Sequence, residues 1–159
     1  MTMTTMTTTK ATRAVLVLTL LAVVPALQGC SHAMMMMRGT GARRPAVSEF
    51  GLGPRASAAG HYVATLEPAQ PLRPRQMQTV RVVVRDADGH GIDDATIAID
   101  GGMPEHGHGL PTRPRMTRAL GDGLYEIEGV RFNMGGWWEF RLAITSDRGV
   151  DTVTFNLAL

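Results

Sequence analysis

From residue 61 to the C-terminus the chain repeats one pattern: short runs of β-branched and aromatic residues set between Gly, Pro and Asp turns. No apolar period of 3.6 appears anywhere in these 99 residues, so a helical fold is excluded at the level of side-chain spacing. Segments 61–66, 79–85, 95–100, 115–119, 124–128 and 138–144 read as strands, and Val153, Phe155 and Leu157 share one face of a last one. Ile97 and Ile99 point the same way within theirs. Seven strands at roughly 8–12-residue spacing predict an all-β domain, an immunoglobulin-like antiparallel β-sandwich. A small closed barrel is the alternative. The Cys…Trp…Cys pattern of antibody domains is missing, so the expectation is one of architecture alone.

The N-terminal part obeys different rules. Lys10 and Arg13 stand just ahead of an apolar run over residues 14–27. Fourteen residues are too few to cross about 30 Å of hydrocarbon as a helix, and a basic flank with a run of that size fits a secretory signal. The run closes on Leu27, Gln28, Gly29 and Cys30, which resembles the lipobox of bacterial lipoproteins. The resemblance implies cleavage before Cys30 and acylation, including palmitate, of the new N-terminus. Gln28 departs from the small or β-branched residue usual there. Cys30 is the only cysteine in the chain, which excludes an intrachain disulfide and Cys-based zinc fingers. The expected organisation is therefore a signal peptide over 1–29, a lipidated Cys30 with a flexible tether over 30–60, and a sandwich domain over 61–159. The expected location is the cell envelope, with the lipid membrane as a partner through Cys30 and the domain facing the periplasm or exterior.

The signal also accounts for the charge. The full chain carries 16 basic and 14 acidic residues, a net +2. Lys10 and Arg13 supply that excess, and without them the chain is neutral. No basic footprint for nucleic acid remains.

Two segments carry chemistry. The tether holds four consecutive methionines, Met34 to Met37, which read either as soft ligands for Cu(I) or as low-complexity sequence beside the membrane. Within the domain, residues 101–111 form a Gly-rich loop containing Met103, His106 and His108, and Met134 follows in the run that leads to Trp137 and Trp138. Residues two apart on an extended strand point to one face, so His106 and His108 are candidate ligands of one metal. Met103 and Met134 are candidate soft ligands; Met116 and His90 are weaker ones. A His/Met set without Cys favours copper over structural zinc, and the lack of a thiolate in the domain excludes a blue-copper site. The competing reading makes the loop a packed turn whose imidazoles bond backbone carbonyls, with Met134 as filler against the tryptophans. His61 and His90 read as solvated, as does the turn bearing Asp86, Asp88, Asp93 and Asp94, which lacks the Ca²⁺-binding twelve-residue pattern.

The loop of Met103, Pro104, His106, Gly107, His108 and Gly109 is similar to that of the YtkA-like family, small secreted or membrane-anchored bacterial domains related to FixH-type proteins. Gly123 with Tyr125, and Phe132, Met134, Gly136 and Trp138, carry the rest of the resemblance, which spans about residues 60–159. It implies an immunoglobulin-like sandwich outside the cytoplasm. It also implies a link with copper handling or oxidase assembly, and hence a copper protein or oxidase component as partner.

Enzyme patterns fit poorly. The His pair lacks the following Glu and the second motif of cupins, and neither a nucleophile elbow nor a phosphate-binding loop is present. The chain therefore reads as a non-enzyme. A copper-binding domain is the first expectation. The second is a protein-interaction module with an exposed aromatic patch around Trp137 and Trp138.

Overall fold

Alternating burial along the strands builds the fold. The computed structural model describes residues 43–159; the expected signal peptide, Cys30 and methionines 34–37 lie outside them. Nine strands follow in order: β1 Arg55–Ala56, β2 Val63–Pro68, β3 Gln78–Arg85, β4 Thr96–Met103, β5 His108–Gly109, β6 Arg115–Gly121, β7 Leu124–Val130, β8 Trp137–Ser146 and β9 Gly149–Ala158. The seven expected strands are β2, β3, β4, β6, β7, β8 and β9. The two extra ones are only two residues long, too short to leave an alternation signal.

One sheet has the order β1-β2-β3-β7-β6 and the other β5-β4-β8-β9, with every strand pairing antiparallel. Leaving aside the two short strands, β2-β3-β7-β6 against β4-β8-β9 is the ABED and CFG arrangement of immunoglobulin sandwiches. The sandwich expectation holds, and the closed barrel does not.

The core is made where the inner faces meet. Val80, Val82 and Val84 alternate inward along β3, and Tyr125 and Ile127 along β7; Phe140, Leu142 and Ile144 of β8 and Val153, Phe155 and Leu157 of β9 oppose them, all buried. Phe132, in the β7–β8 connection, packs edge-on against Trp138 at 5.2 Å and Phe140 at 6.2 Å. Each such aromatic or large aliphatic side chain withdrawn from water contributes about 1.5–3 kcal/mol, so the two sheets are held chiefly by this interleaved layer.

The folded body starts earlier than residue 61. β1 pairs with β2, Phe50 bridges Asn156 of β9 in parallel, and Gly51 donates to the Asn156 carbonyl at 3.0 Å. Residues 50–60 thus cover part of the β9 edge, where a bare ladder of N–H and C=O groups would otherwise stand. Polar, Gly-rich sequence hides this role because edge pairing uses backbone groups rather than side chains.

Candidate metal centre

The Gly-rich segment folds as a hairpin. β4 runs through Gly101 and Gly102 to Met103, and Met103 pairs with His108 and Gly102 with Gly109 across a tight turn. The N–H groups of His106 and Gly107 both donate to the Met103 carbonyl, at 3.0 and 2.9 Å. Glycine is required where backbones approach. A Cβ on Gly101 would sit 2.6 Å from the Glu139 carbonyl oxygen, and one on Gly102 2.6 Å from that of His108. Gly107 turns the chain with φ +64, a conformation that costs glycine little. His106 therefore stands in the turn and His108 at the start of the return strand, not side by side on one extended strand.

The turn nevertheless brings the two imidazoles face to face, their centroids 6.0 Å apart and their planes 23° from parallel. Both residues are exposed, and among the described residues no hydrogen bond reaches either ring. The packed-turn arrangement, in which the rings bond backbone carbonyls, is not what forms. Imidazole nitrogens bind first-row ions at about 2.0–2.1 Å, so two rings at this spacing can share one ion after small side-chain rotations.

The two methionines go different ways. Met103 is 1% exposed and belongs to the core; its Cε lies 2.8 Å from where a Cβ on Gly136 would be, so the loop before β8 closes over it. Met134 is 38% exposed, and its carbonyl accepts the Trp138 indole N–H at 3.0 Å. The structure unites His106 with His108, buries Met103 beneath the β7–β8 loop and leaves Met134 on the surface. Met116 is partly buried against the core.

Beside the hairpin lies a shallow depression lined by Gly102, Pro104, His108 and Gly109 on one side and Asp100, Glu139 and Arg141 on the other. Its carboxylates are engaged. Arg141 donates to Asp100 at 2.7 Å and to Glu139 at 2.8 Å. The hydrogen bond from Arg141 holds the Asp100 carboxyl below its ordinary range, and the same contact raises Arg141.

A second cluster was not foreseen. Ligand atoms of Asp86, Asp88 and His90 lie within 4.8 Å of one another. Asp86 is 4% exposed, so it is not a solvated turn residue. Its Oδ1 accepts the N–H groups of Asp88 at 2.9 Å and His90 at 2.8 Å. Its Oδ2 faces Arg148 at 3.1 Å and His90 Nδ1 at 3.4 Å. The backbone N–H of His90, aided by Arg148, holds the Asp86 carboxyl below its usual value. With an arginine already on the carboxylate, the cluster is built as a turn clamp. The signal available in sequence was the Asp-x-x-Gly spacing of a turn; Arg148, 62 residues away, was not readable from it.

Both tryptophans are buried, Trp137 at 1% and Trp138 at 0% exposure. The exposed aromatic patch expected of an interaction module is absent among the described residues. Trp138 faces the core. Trp137 points to the opposite side of β8, and its indole N–H donates to Asn156 Oδ1 at 3.0 Å.

The model of a family described as YtkA-like matches residues 57–143, a span that takes in the histidine hairpin. No curated protein matches. Among solved structures, the ZirS C-terminal domain aligns with 12% identity and a TM-score of 0.35, covering 86% of this chain and 100% of that one.

Proposed function

The chain belongs to the YtkA-like family, and from that premise we propose that it is a lipid-anchored envelope protein whose sandwich binds copper through His106 and His108, for metal handling or oxidase assembly. The observation that carries this reading is the exposed pair of imidazoles, 6.0 Å apart and free of hydrogen bonds from other described residues. A surface histidine pair that does no structural work has its nitrogens available to an ion. Gly107 between the two histidines and Gly109 after them leave the turn room to adjust. The donor chemistry suits copper, since imidazole accepts either oxidation state and no thiolate is at hand to favour a structural zinc site. The ion is cargo in this reading, and no catalytic step is assigned.

Anchoring rests on the lipobox-like residues Leu27 to Cys30. Fatty-acid labelling that disappears in Cys30→Ala, with release of the chain from membranes, tests that part. The metal part is tested by titrating the full chain with Cu(I) and with Cu(II). Tight binding that is lost in the His106→Ala, His108→Ala double variant is the expected result; tight binding that survives in it removes the site.

A further inference from the structure

We propose that one end of the sandwich docks on an anionic membrane surface through Arg73, Arg75, Arg113, Arg115 and Arg131. This contact is made by the domain itself, and it depends neither on copper nor on acylation of Cys30.

Strand pairing brings the five together. Pro68 lies across from Val80, Gln78 from Val130 and Arg115 from Glu128, so the β2–β3 connection, the start of β6 and the β7–β8 connection share one end. The Arg75 N–H donates to the Phe132 carbonyl at 2.7 Å, and the Thr112 hydroxyl to the Gly129 carbonyl at 2.7 Å. These bonds tie the arginine-bearing segments to one another, so the surface is preformed.

The near-zero net charge beyond the signal conceals this grouping. Arg81, Arg85, Arg118, Arg141 and Arg148 are engaged in ion pairs. The five at this end are all exposed, and among the described residues none of them pairs with a carboxylate. Of the nearby acids, Glu105 is taken by Arg44, while Glu67 and Glu128 stand exposed on their strands. Like charges gathered on one surface repel, and no side-chain contact of these guanidinium groups within the described domain offsets that cost. Arg75 also holds φ +66, a left-handed conformation that glycine or asparagine adopts at lower cost, so its backbone gives no reason for an arginine there.

A lipid surface fits this end better than a protein does. Met77, 62% exposed, and Met134, 38% exposed, stand in the same connections as Arg75 and Arg131. Apolar side chains set among cations are the composition of an interfacial membrane contact. Guanidinium groups take phosphate oxygens in a fork, and each cation close to an anionic leaflet contributes about 1 kcal/mol. The chain's own N-terminal segment is not the occupant, since residues 1–42 contain no Asp or Glu. A second copy offers the aspartates of the opposite end, but these are used by their own turns: Asp86 is held by Arg148, Asp93 accepts the Gly123 N–H at 2.6 Å and Asp94 the Asp147 N–H at 3.3 Å. Such a head-to-tail contact would also leave the assembly open. Docking brings the histidine hairpin, which lies at the same end, to the headgroups.

The experiment measures vesicle binding of the full chain carrying Cys30→Ala, which has no thiol to acylate. The probes are vesicles of phosphatidylcholine alone and of equal parts phosphatidylcholine and phosphatidylglycerol. The expected result is a preference for the anionic vesicles that weakens with added salt and falls about a hundredfold when Arg73→Gln, Arg75→Gln, Arg113→Gln, Arg115→Gln and Arg131→Gln are combined. Met77→Ser with Met134→Ser lowers it about tenfold. The arginine variant is expected to keep its melting midpoint; if it melts lower, Arg113→Gln with Arg131→Gln carries the test, with an expected loss of about tenfold. Equal binding to both kinds of vesicle, or an anionic preference that survives in the arginine variants, overturns the proposal. So does recovery of binding when Asp88→Asn and Asp147→Asn are added to the arginine variant, which would make net charge the cause. Binding to polyglutamate without any preference between vesicles assigns this end to an acidic protein instead, and arginine-dependent self-association without vesicles assigns it to a second copy; either result overturns the membrane contact.

Discussion

The carboxylate of Asp151, on β9, takes the backbone N–H of Ala59 in a forked pair of hydrogen bonds at 2.9 and 3.1 Å. It also accepts from His61 at 3.3 Å and from the Thr152 N–H at 2.7 Å. One buried side chain thus joins the loop between β1 and β2 to the edge of the other sheet.

Acid stability follows from that contact. The Ser57 hydroxyl first, then the Ala59, Thr152 and His61 N–H groups, favour the ionised form and hold Asp151 far below the usual carboxylate range. A depressed folded-state value means that the stabilisation is complete above the unfolded value of about 3.9 and is lost as pH falls below it. Asp86 and Asp100 shift the same way. Thermal melts followed by circular dichroism are expected to hold their midpoint from neutrality down to about pH 5 and to fall below about pH 4. Asp151→Asn lowers the midpoint at neutral pH and flattens the acid decline.

Truncation tests the early start of the folded body. A chain beginning at His61 lacks β1, the Gly51 donation to Asn156 and the Ala58 donation to the Thr152 carbonyl at 2.9 Å, and leaves Asp151 facing no loop. With each lost hydrogen bond worth about 1 kcal/mol, the shortened chain is expected to melt well below one beginning at Arg43. Equal midpoints would show that the segment contributes nothing.

Met103 separates packing from ligation. Met103→Leu preserves volume in the core and is expected to cost less than about 1.5 kcal/mol, with copper affinity unaltered. Met103→Ala leaves a cavity and costs about 2–5 kcal/mol. Denaturant unfolding together with a copper titration reads both effects, and a loss of affinity in a stable Met103→Leu variant would make the thioether a ligand.

Tyr125 supplies a polar anchor inside the sandwich. Its hydroxyl donates to the Ile92 carbonyl and accepts the Ala95 N–H at 3.0 Å, tying the β3–β4 connection to β7. Burial pushes its ionisation above the ordinary tyrosine value. Tyr125→Phe strands both backbone groups out of water, and the expected loss is about 1–3 kcal/mol in urea unfolding.

Strand identity was open to the sequence because it is a local property. Side chains alternate with a period of two wherever backbone is extended, so Val153, Phe155 and Leu157 declared one inward face, and all three are buried. The signal faded where side chains vanish. Gly101 and Gly102 continue β4 into the hairpin, yet their role is to let Glu139 and His108 carbonyls come close, which leaves no hydrophobic pattern. The chemistry of the candidate site was likewise visible as residue types: two histidines, His106 and His108, set in a glycine-rich loop.

Tertiary structure decided which of those residues meet. It closed Met103 beneath the β7–β8 loop, stood the two imidazoles face to face, buried both tryptophans and brought Arg44 to Glu105 across 61 residues of chain. It also placed Asp86 and Asp151 out of water, where backbone N–H groups and Arg148 compensate their charge. Apart from the imidazole pair and the Asp86 turn, which local backbone hydrogen bonds shape, these outcomes join residues far apart in sequence. Each is fixed by which strand lies beside which, and that is set by the burial of two whole sheets against each other rather than by any one segment's propensity.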